Sequence, residues 1–227
     1  MCTSHKMRLA PGVTNKVALW GRWRDIDLFL NAHPGMALKP SQDGCIHIGG
    51  QFRFSASSAG ASVVQDAFQL HIKISRRDKA QLPLVYETAG RIPKDGNHHV
   101  NPDGSLCLGA PIRLHTILGG NFSLNDFVER CVVPFLYSIS LKEAGHPHFQ
   151  FGELAHGTDG LIDDYIRLFG CSSREALVRY LRSLVLKKRQ ANKQPCPCCC
   201  GRKLVKCRTG STPLLRTLLK RGTMCQR

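Results

Sequence analysis

The stretch His98–Ala110, HHVNPDGSLCLGA, places a thiol directly after a turn and two imidazoles just before it. Asn101-Pro102-Asp103-Gly104 combines a ring-fixed φ, a side chain able to cap its own turn and a glycine free to adopt positive φ. The chain therefore bends sharply ahead of Ser105. Cys107 follows between Leu106 and Leu108, a setting that suits a buried structural thiol as well as a nucleophile. The upstream histidines favour the nucleophile: a thiolate attacks a carbonyl, while an imidazole donates to the oxyanion or takes a proton from an amine. Such a site needs an accessible thiol with a pKa not far from ambient pH.

Two further clusters carry chemistry-bearing side chains. His146, His148, Glu153 and His156 recur within HPHFQFGELAHGTDG, but their spacing lacks the regular histidine pair of a helical zinc protease, so loop structure is the expected role. Five of the eleven cysteines fall between Cys196 and Cys207, in CPCCCGRKLVKCR. That density argues for metal ligation rather than a disulfide framework, and for a reducing compartment. No glycine-rich nucleotide fingerprint follows a strand, so the chain does not evidently activate a carboxylate itself.

The elements that must position these groups read as α+β. WRDIDLFLNAHPG spaces Ile26, Phe29 and Leu30 as on one helix face before a Pro-Gly stop. GCIHIGGQFRFSA and DAFQLHIKIS alternate apolar and polar residues, the second with Phe68, Leu70, Ile72 and Ile74 on one face, and LPLVYETAGRIP is a third strand-like run. Short links between them predict an antiparallel meander. Beyond Cys107 the pattern turns helical. Ser123 is an N-cap candidate, Pro134 should kink or break its helix, TDGLIDDYIRLFG ends at Gly170, and Ser172 or Ser173 caps SSREALVRYLRSLVLKKRQ. Leu177, Tyr180, Leu181, Leu184 and Val185 form the apolar stripe of that last helix.

Charge divides the chain. Residues 174–227 carry fifteen Lys or Arg against the single acid Glu175, whereas the first 173 residues are nearly neutral. A polycationic tail attracts nucleic acid, a membrane surface or an acidic protein. No segment approaches the roughly eighteen uninterrupted apolar residues of a spanning helix, and the first residues hold no continuous apolar stretch. A cytoplasmic protein without membrane association is expected.

The order of helix, three-strand meander, extended segment, NPDGSLCLG and helices resembles a ubiquitin-conjugating enzyme over about residues 20 to 170. Counting back from Cys107, Asn97, His98 and His99 stand where the eukaryotic enzymes carry their His-Pro-Asn signature, so His99 replaces the signature asparagine. The His-x-Asn-Pro-Asp-Gly-x-x-Cys spacing, with a Gly-Glu-x-x-His-Gly segment further on, is more similar to the bacterial ubiquitin-conjugating-like proteins of antiphage operons of the cyclic-oligonucleotide type. The resemblance implies a ubiquitin-conjugating-like catalytic domain over residues 1–170 and a candidate catalytic set of Cys107, His99, Asn101 and His98. Glu153 and His156 join that set as residues that shape the site. CPCCCGRKLVKCR in turn resembles the SEC-C zinc motif. Cys196, Cys198 and Cys207 match three of its ligands, Arg208 occupies the fourth position, and Cys199, Cys200 or Cys225 is left to complete the set; Cys200 is taken as the fourth ligand. Residues 171–194 are then a basic helical linker and 195–227 a small basic zinc module with structural Zn2+.

Together these resemblances imply a transferase that carries the activated C terminus of a partner protein as a thioester on Cys107 and passes it to an amine. The partner implied is a cyclic-oligonucleotide synthase, a nucleotidyltransferase, charged by a separate activating enzyme or already activated, with recruitment or nucleic-acid contact through the basic tail. The competing readings are a cysteine hydrolase using Cys107 with a histidine, and a zinc-dependent binding module without catalysis.

Overall fold

The computed structural model of the chain describes residues 26–58, 63–77, 81–119, 122–146, 157–208 and 212–221. Within them a four-stranded antiparallel sheet in the order β1-β2-β3-β4 is packed against helices, a mixed α+β arrangement. Helix α1 (Ile26–Ala32) buries Ile26 and Phe29 and ends at the Pro-Gly turn, as the spacing predicts. β2 (Cys45–Ala56) and β3 (Val64–Ser75) form a long hairpin in which Ile46, Ile48 and Phe52 lie opposite Ile74, Ile72 and Phe68. Because alternate residues face opposite sides, this register sends the apolar set to the core and leaves His47, Arg53, His71 and Lys73 on the other face.

β4 (Leu84–Glu87) adds to the β3 edge. On the opposite edge lies β1 (Met36–Lys39), a strand the sequence pattern does not announce because only Met36 of its residues is buried. Its approach depends on Gly50, whose φ of 147° and missing side chain admit the Gly35 carbonyl; a Cβ there would lie 2.1 Å from that oxygen.

Cys107 is followed by α2 (Pro111–Leu118), with proline in its first turn where a missing N–H costs nothing. Ser123 then caps α3 (Leu124–Phe127) in a reciprocal capping box with Asp126. Pro134 does not break the element. The helix widens into a π-turn over Val128–Val132, in which the Val133 N–H reaches the Val128 carbonyl, and continues as α4 (Val133–Glu143) with Pro134 in its first turn.

Two apolar cores result. The first lies between the sheet and α1, α3 and α4. The second gathers Tyr165 and Phe169 of α5 (Gly157–Phe169), Leu177 and Tyr180 of α6 (Arg174–Leu184), Ala191 of α7 (Lys188–Ala191), and Leu215, Leu218 and Leu219 of α8 (Thr212–Arg221) around Cys196, Leu204 and Cys207. Ser173 is the α6 cap, accepting from the Ala176 N–H. That helix stops at Leu184, so of its predicted stripe Val185 stands 53% exposed rather than in the core. Helix α2 is common to both cores: Leu114 and Leu118 face the first, Ala110 and Ile112 the second. The segment carrying Cys107 thus enters the helix shared by both packed units.

Candidate functional site

The cysteine loop is built outward from β4. The buried Glu87 carboxylate accepts from the backbone N–H groups of Ala89 at 2.8 Å and Arg91 at 2.9 Å, tying down the exit of the strand. Asp95 opens a short 3-10 turn over Gly96–His98 and accepts from both the His98 backbone N–H and its Nδ1, at 2.9 and 2.7 Å. The His98 contact is the main cause that holds the Asp95 carboxyl below the usual carboxylate range. His99 adopts a left-handed conformation, φ 52° and ψ 47°, which reverses the chain. The segment expected to be extended here is therefore a helical turn and a reversal.

The Asn101–Ser105 turn closes through the Gly104 N–H on the Asn101 carbonyl and the Asn101 N–H on the Ser105 carbonyl, both at 2.8 Å. Its side chains are fully engaged. The Asn101 amide donates to Ser105 Oγ at 3.0 Å, and that hydroxyl donates to Asp103 at 2.6 Å, which is the main cause lowering the Asp103 carboxyl. Leu106 then plugs into the sheet core, its N–H on the Val85 carbonyl at 2.7 Å, and the Cys107 N–H donates to the His99 carbonyl at 2.7 Å. The cysteine is thus placed by a small hydrogen-bonded β-turn stitched onto β4, with its side chain half-buried.

His98, His99, Asn101 and Cys107 lie in one loop, where the side chains of His98 and Asn101 bond to residues other than the cysteine. The His98 imidazole is on Asp95, the Asn101 amide on Ser105, and the His99 main chain on Cys107. Glu153 and His156, with His148, lie outside the described residues. An open groove runs beside the loop, lined by Lys94, Asp95, Val100, Asn101 and Asp103. The thiol departs from the expectation of a near-ambient pKa. Burial pushes Cys107 above the ordinary cysteine value, opposed by a backbone hydrogen bond at Gly109. At neutral pH it rests as the thiol, and attack requires its proton to be removed.

The cysteine cluster has the geometry of a metal centre. Cys196, Cys198, Cys200 and Cys207 hold their sulfur atoms within 4.8 Å of one another. Cys196 and Cys198 lie 3.1 Å apart and Cys198 and Cys207 3.5 Å. A tetrahedral ion with Zn–S bonds of about 2.3 Å separates its sulfurs by about 3.8 Å, so the set fits a thiolate-bound ion with small adjustment. Local backbone explains the convergence. Cys196 donates its N–H to the Arg202 carbonyl, Cys199 takes a left-handed φ of 59°, and Gly201 a φ of 73°, folding the segment into a tight knuckle. The Arg179 side chain of α6 reaches the Pro197 carbonyl at 3.2 Å and Arg216 of α8 reaches the Leu204 carbonyl at 3.1 Å, clamping the knuckle from two sides. Of the candidates for the fourth position, Cys200, although exposed, brings its sulfur into the group, Cys199 instead contacts the Pro197 carbonyl at 3.8 Å, and Cys225 lies outside the described residues. A metal held here would knit the second core, since Cys196 and Cys207 are themselves buried in it. Around the knuckle Lys187, Lys188, Arg189, Lys193, Arg202 and Lys203 are exposed.

No family model matches the chain, and searches of curated proteins and of solved structures returned no significant match. No described helix is long and apolar enough to cross a membrane.

Several residues that shape the site carry no motif. Glu87 acts only through backbone groups, and Tyr86 lies under the turn, where a Cβ on Gly104 would be 4.0 Å from its ring. Arg113 of α2 reaches buried Asp164 of α5 through its Nε at 2.8 Å and through a closer Nη2 contact, joining the helix after the cysteine to the second core.

Proposed function

We propose that the chain is a ubiquitin-conjugating-like acyl transferase with Cys107 as acceptor and a zinc-stabilised basic module as its recruiting surface. The observation that carries this reading is the half-buried thiol presented at the end of a rigid turn, stitched to the edge of an antiparallel meander and leading directly into α2. In the proposed step the Cys107 thiol, once deprotonated, attacks the activated C-terminal carbonyl of a partner protein. The activating group leaves and a thioester forms. A neutral amine then attacks that carbonyl, an amide bond forms as its N–H proton passes to solvent, and the cysteine leaves as thiolate.

Immobilising the main chain around Cys107 favours this chemistry through geometry, since an aligned amine and thioester need little further acid–base help. The His99 carbonyl fixes the Cys107 amide, so His99 would act as a positioning residue through its main chain. Structural Zn2+ would be held by Cys196, Cys198, Cys200 and Cys207 and would maintain the fold of the basic module. The acyl donor proposed is a cyclic-oligonucleotide synthase charged by a separate activating enzyme, and the setting is antiphage defence in the cytoplasm. One observation favours a second reading, a non-catalytic zinc-dependent binding module: the burial that raises the Cys107 thiol.

Intact-mass analysis of the chain co-expressed with its genomic neighbours separates the two. A partner-sized adduct that is labile to reductant, is lost in Cys107→Ala and becomes reductant-resistant in Cys107→Ser establishes transfer through this residue. Absence of any adduct under these conditions favours the binding module.

A further inference from the structure

A second group of ligands stands on the solvent face of the sheet, away from the four-cysteine knuckle. Cys45 and His47 alternate onto one side of β2, and Asp43 lies in the bend just ahead of that strand. Their ligand atoms lie within 4.8 Å of one another. His47 Nε2 faces the Asp43 carboxylate at 3.0 and 3.1 Å, while its Nδ1 lies 2.7 Å from His71 Nε2 on the neighbouring strand. His71 is paired on β2 with Gly49, two residues along the strand from His47. A side chain at Gly49 would meet Lys39, with its Cβ 3.1 Å from the lysine Cε.

We propose that Asp43, Cys45 and His47 form a second binding site for a zinc-class divalent cation, with His71 as the outer partner that orients His47. A metal-bound imidazole donates its remaining N–H to a neighbouring acceptor, which fixes its tautomer and aim. His71 Nε2 is placed to accept from His47 Nδ1, leaving Nε2 for the cation. A thiolate, a carboxylate and an imidazole suit Zn2+ or Co2+ and disfavour Mg2+ and Ca2+, whose preferred ligands are all oxygen. The two anionic ligands neutralise a divalent charge; here Lys73 lies 2.8 Å from Asp43 Oδ2, and Oδ1 accepts from Ser41 Oγ at 2.6 Å and from the Cys45 N–H at 3.0 Å. With three protein ligands the fourth position is open, unlike the all-cysteine set. The Tyr86 ring lies 5.8 Å from that of His71, and Tyr86 in turn bridges to Ser105 of the turn before Cys107.

The test is a zinc titration of the full-length, reduced, metal-stripped chain against a chromophoric chelator, with long-range imidazole 1H–15N spectra recorded at each equivalent. Two equivalents are expected in the wild type, the weaker one shifting His47 Nε2 to its metal-bound position while Nδ1 keeps its proton. His47→Ala should lose only the weaker equivalent, and Cys45→Ser should weaken it by at least about tenfold, no less than the loss of an outer-shell partner costs. Circular dichroism confirms that each variant is folded, and the wild-type spectra stand whether or not the variants fold. Binding of one equivalent only, or a second equivalent that leaves the His47 resonances unmoved, overturns the proposal.

Discussion

The Arg113–Asp164 pair offers a quantitative test of how the cysteine-bearing helix is coupled to the second core. Asp164 is 1% exposed and takes its bidentate contact from Arg113, whose side chain is 38% exposed. Removing the arginine leaves a buried carboxylate without its cation, a loss of about 3–5 kcal/mol where both partners are dry. Because water reaches Arg113 from one side, the expected loss for Arg113→Met is the smaller figure of about 2–3 kcal/mol. For a chain of this size that is a drop of about 4–12 °C in melting temperature. Replacing both partners, as in Arg113→Met with Asp164→Leu, removes the charge together with its counter-charge and should cost less than Arg113→Met alone. Urea unfolding followed by far-ultraviolet circular dichroism on the two single variants and the double variant closes the cycle. If Arg113→Met changes stability by less than about 0.5 kcal/mol, or if the double variant loses the sum of the singles, the pair does not couple these helices.

Asp66 supplies a pH-dependent test. Its hydrogen bonds from Arg91 are the main cause that holds its carboxyl at about 2. An unfolded aspartate titrates near ~3.9, so the folded form binds its proton less readily. The stabilisation is complete above that value and disappears as pH falls toward 2, so Asp66→Asn should flatten the urea midpoint against pH in that window, and parallel curves would contradict this. Chelation should lower hydrogen-exchange protection at the Cys196, Leu204 and Cys207 amides while the β2–β3 amides keep theirs; equal loss in both would show that the metal supports the whole molecule. Gly50→Ala should cost at least ~2 kcal/mol in a denaturant titration, because its Cβ would lie 2.1 Å from a backbone oxygen, whereas Gly90→Ala, with nothing within 4 Å of its Cβ, should cost only the ~1 kcal/mol of its positive φ of 77°.

What the sequence determined by itself is local. The alternation in CIHIGGQFRFSA and DAFQLHIKIS specifies a hairpin with one wet and one buried face, NPDG specifies the turn before Cys107, and the cysteine spacing specifies a thiolate cluster. Each is governed by the period of a strand, by turn dihedrals or by ligand chemistry, all of which act over a few residues. Tertiary packing decided the rest. Strand β1 exists because Gly50 lets another backbone approach, Pro134 is absorbed by a π-turn within a packed helix, and Cys200 rather than Cys199 enters the cluster because the backbone reverses at Cys199. The meeting of His47 with His71 depends on the register of two strands, and the raised Cys107 thiol depends on what buries it. Such properties arise from groups far apart along the chain, so neither their distances nor their desolvation is written in any short stretch of it.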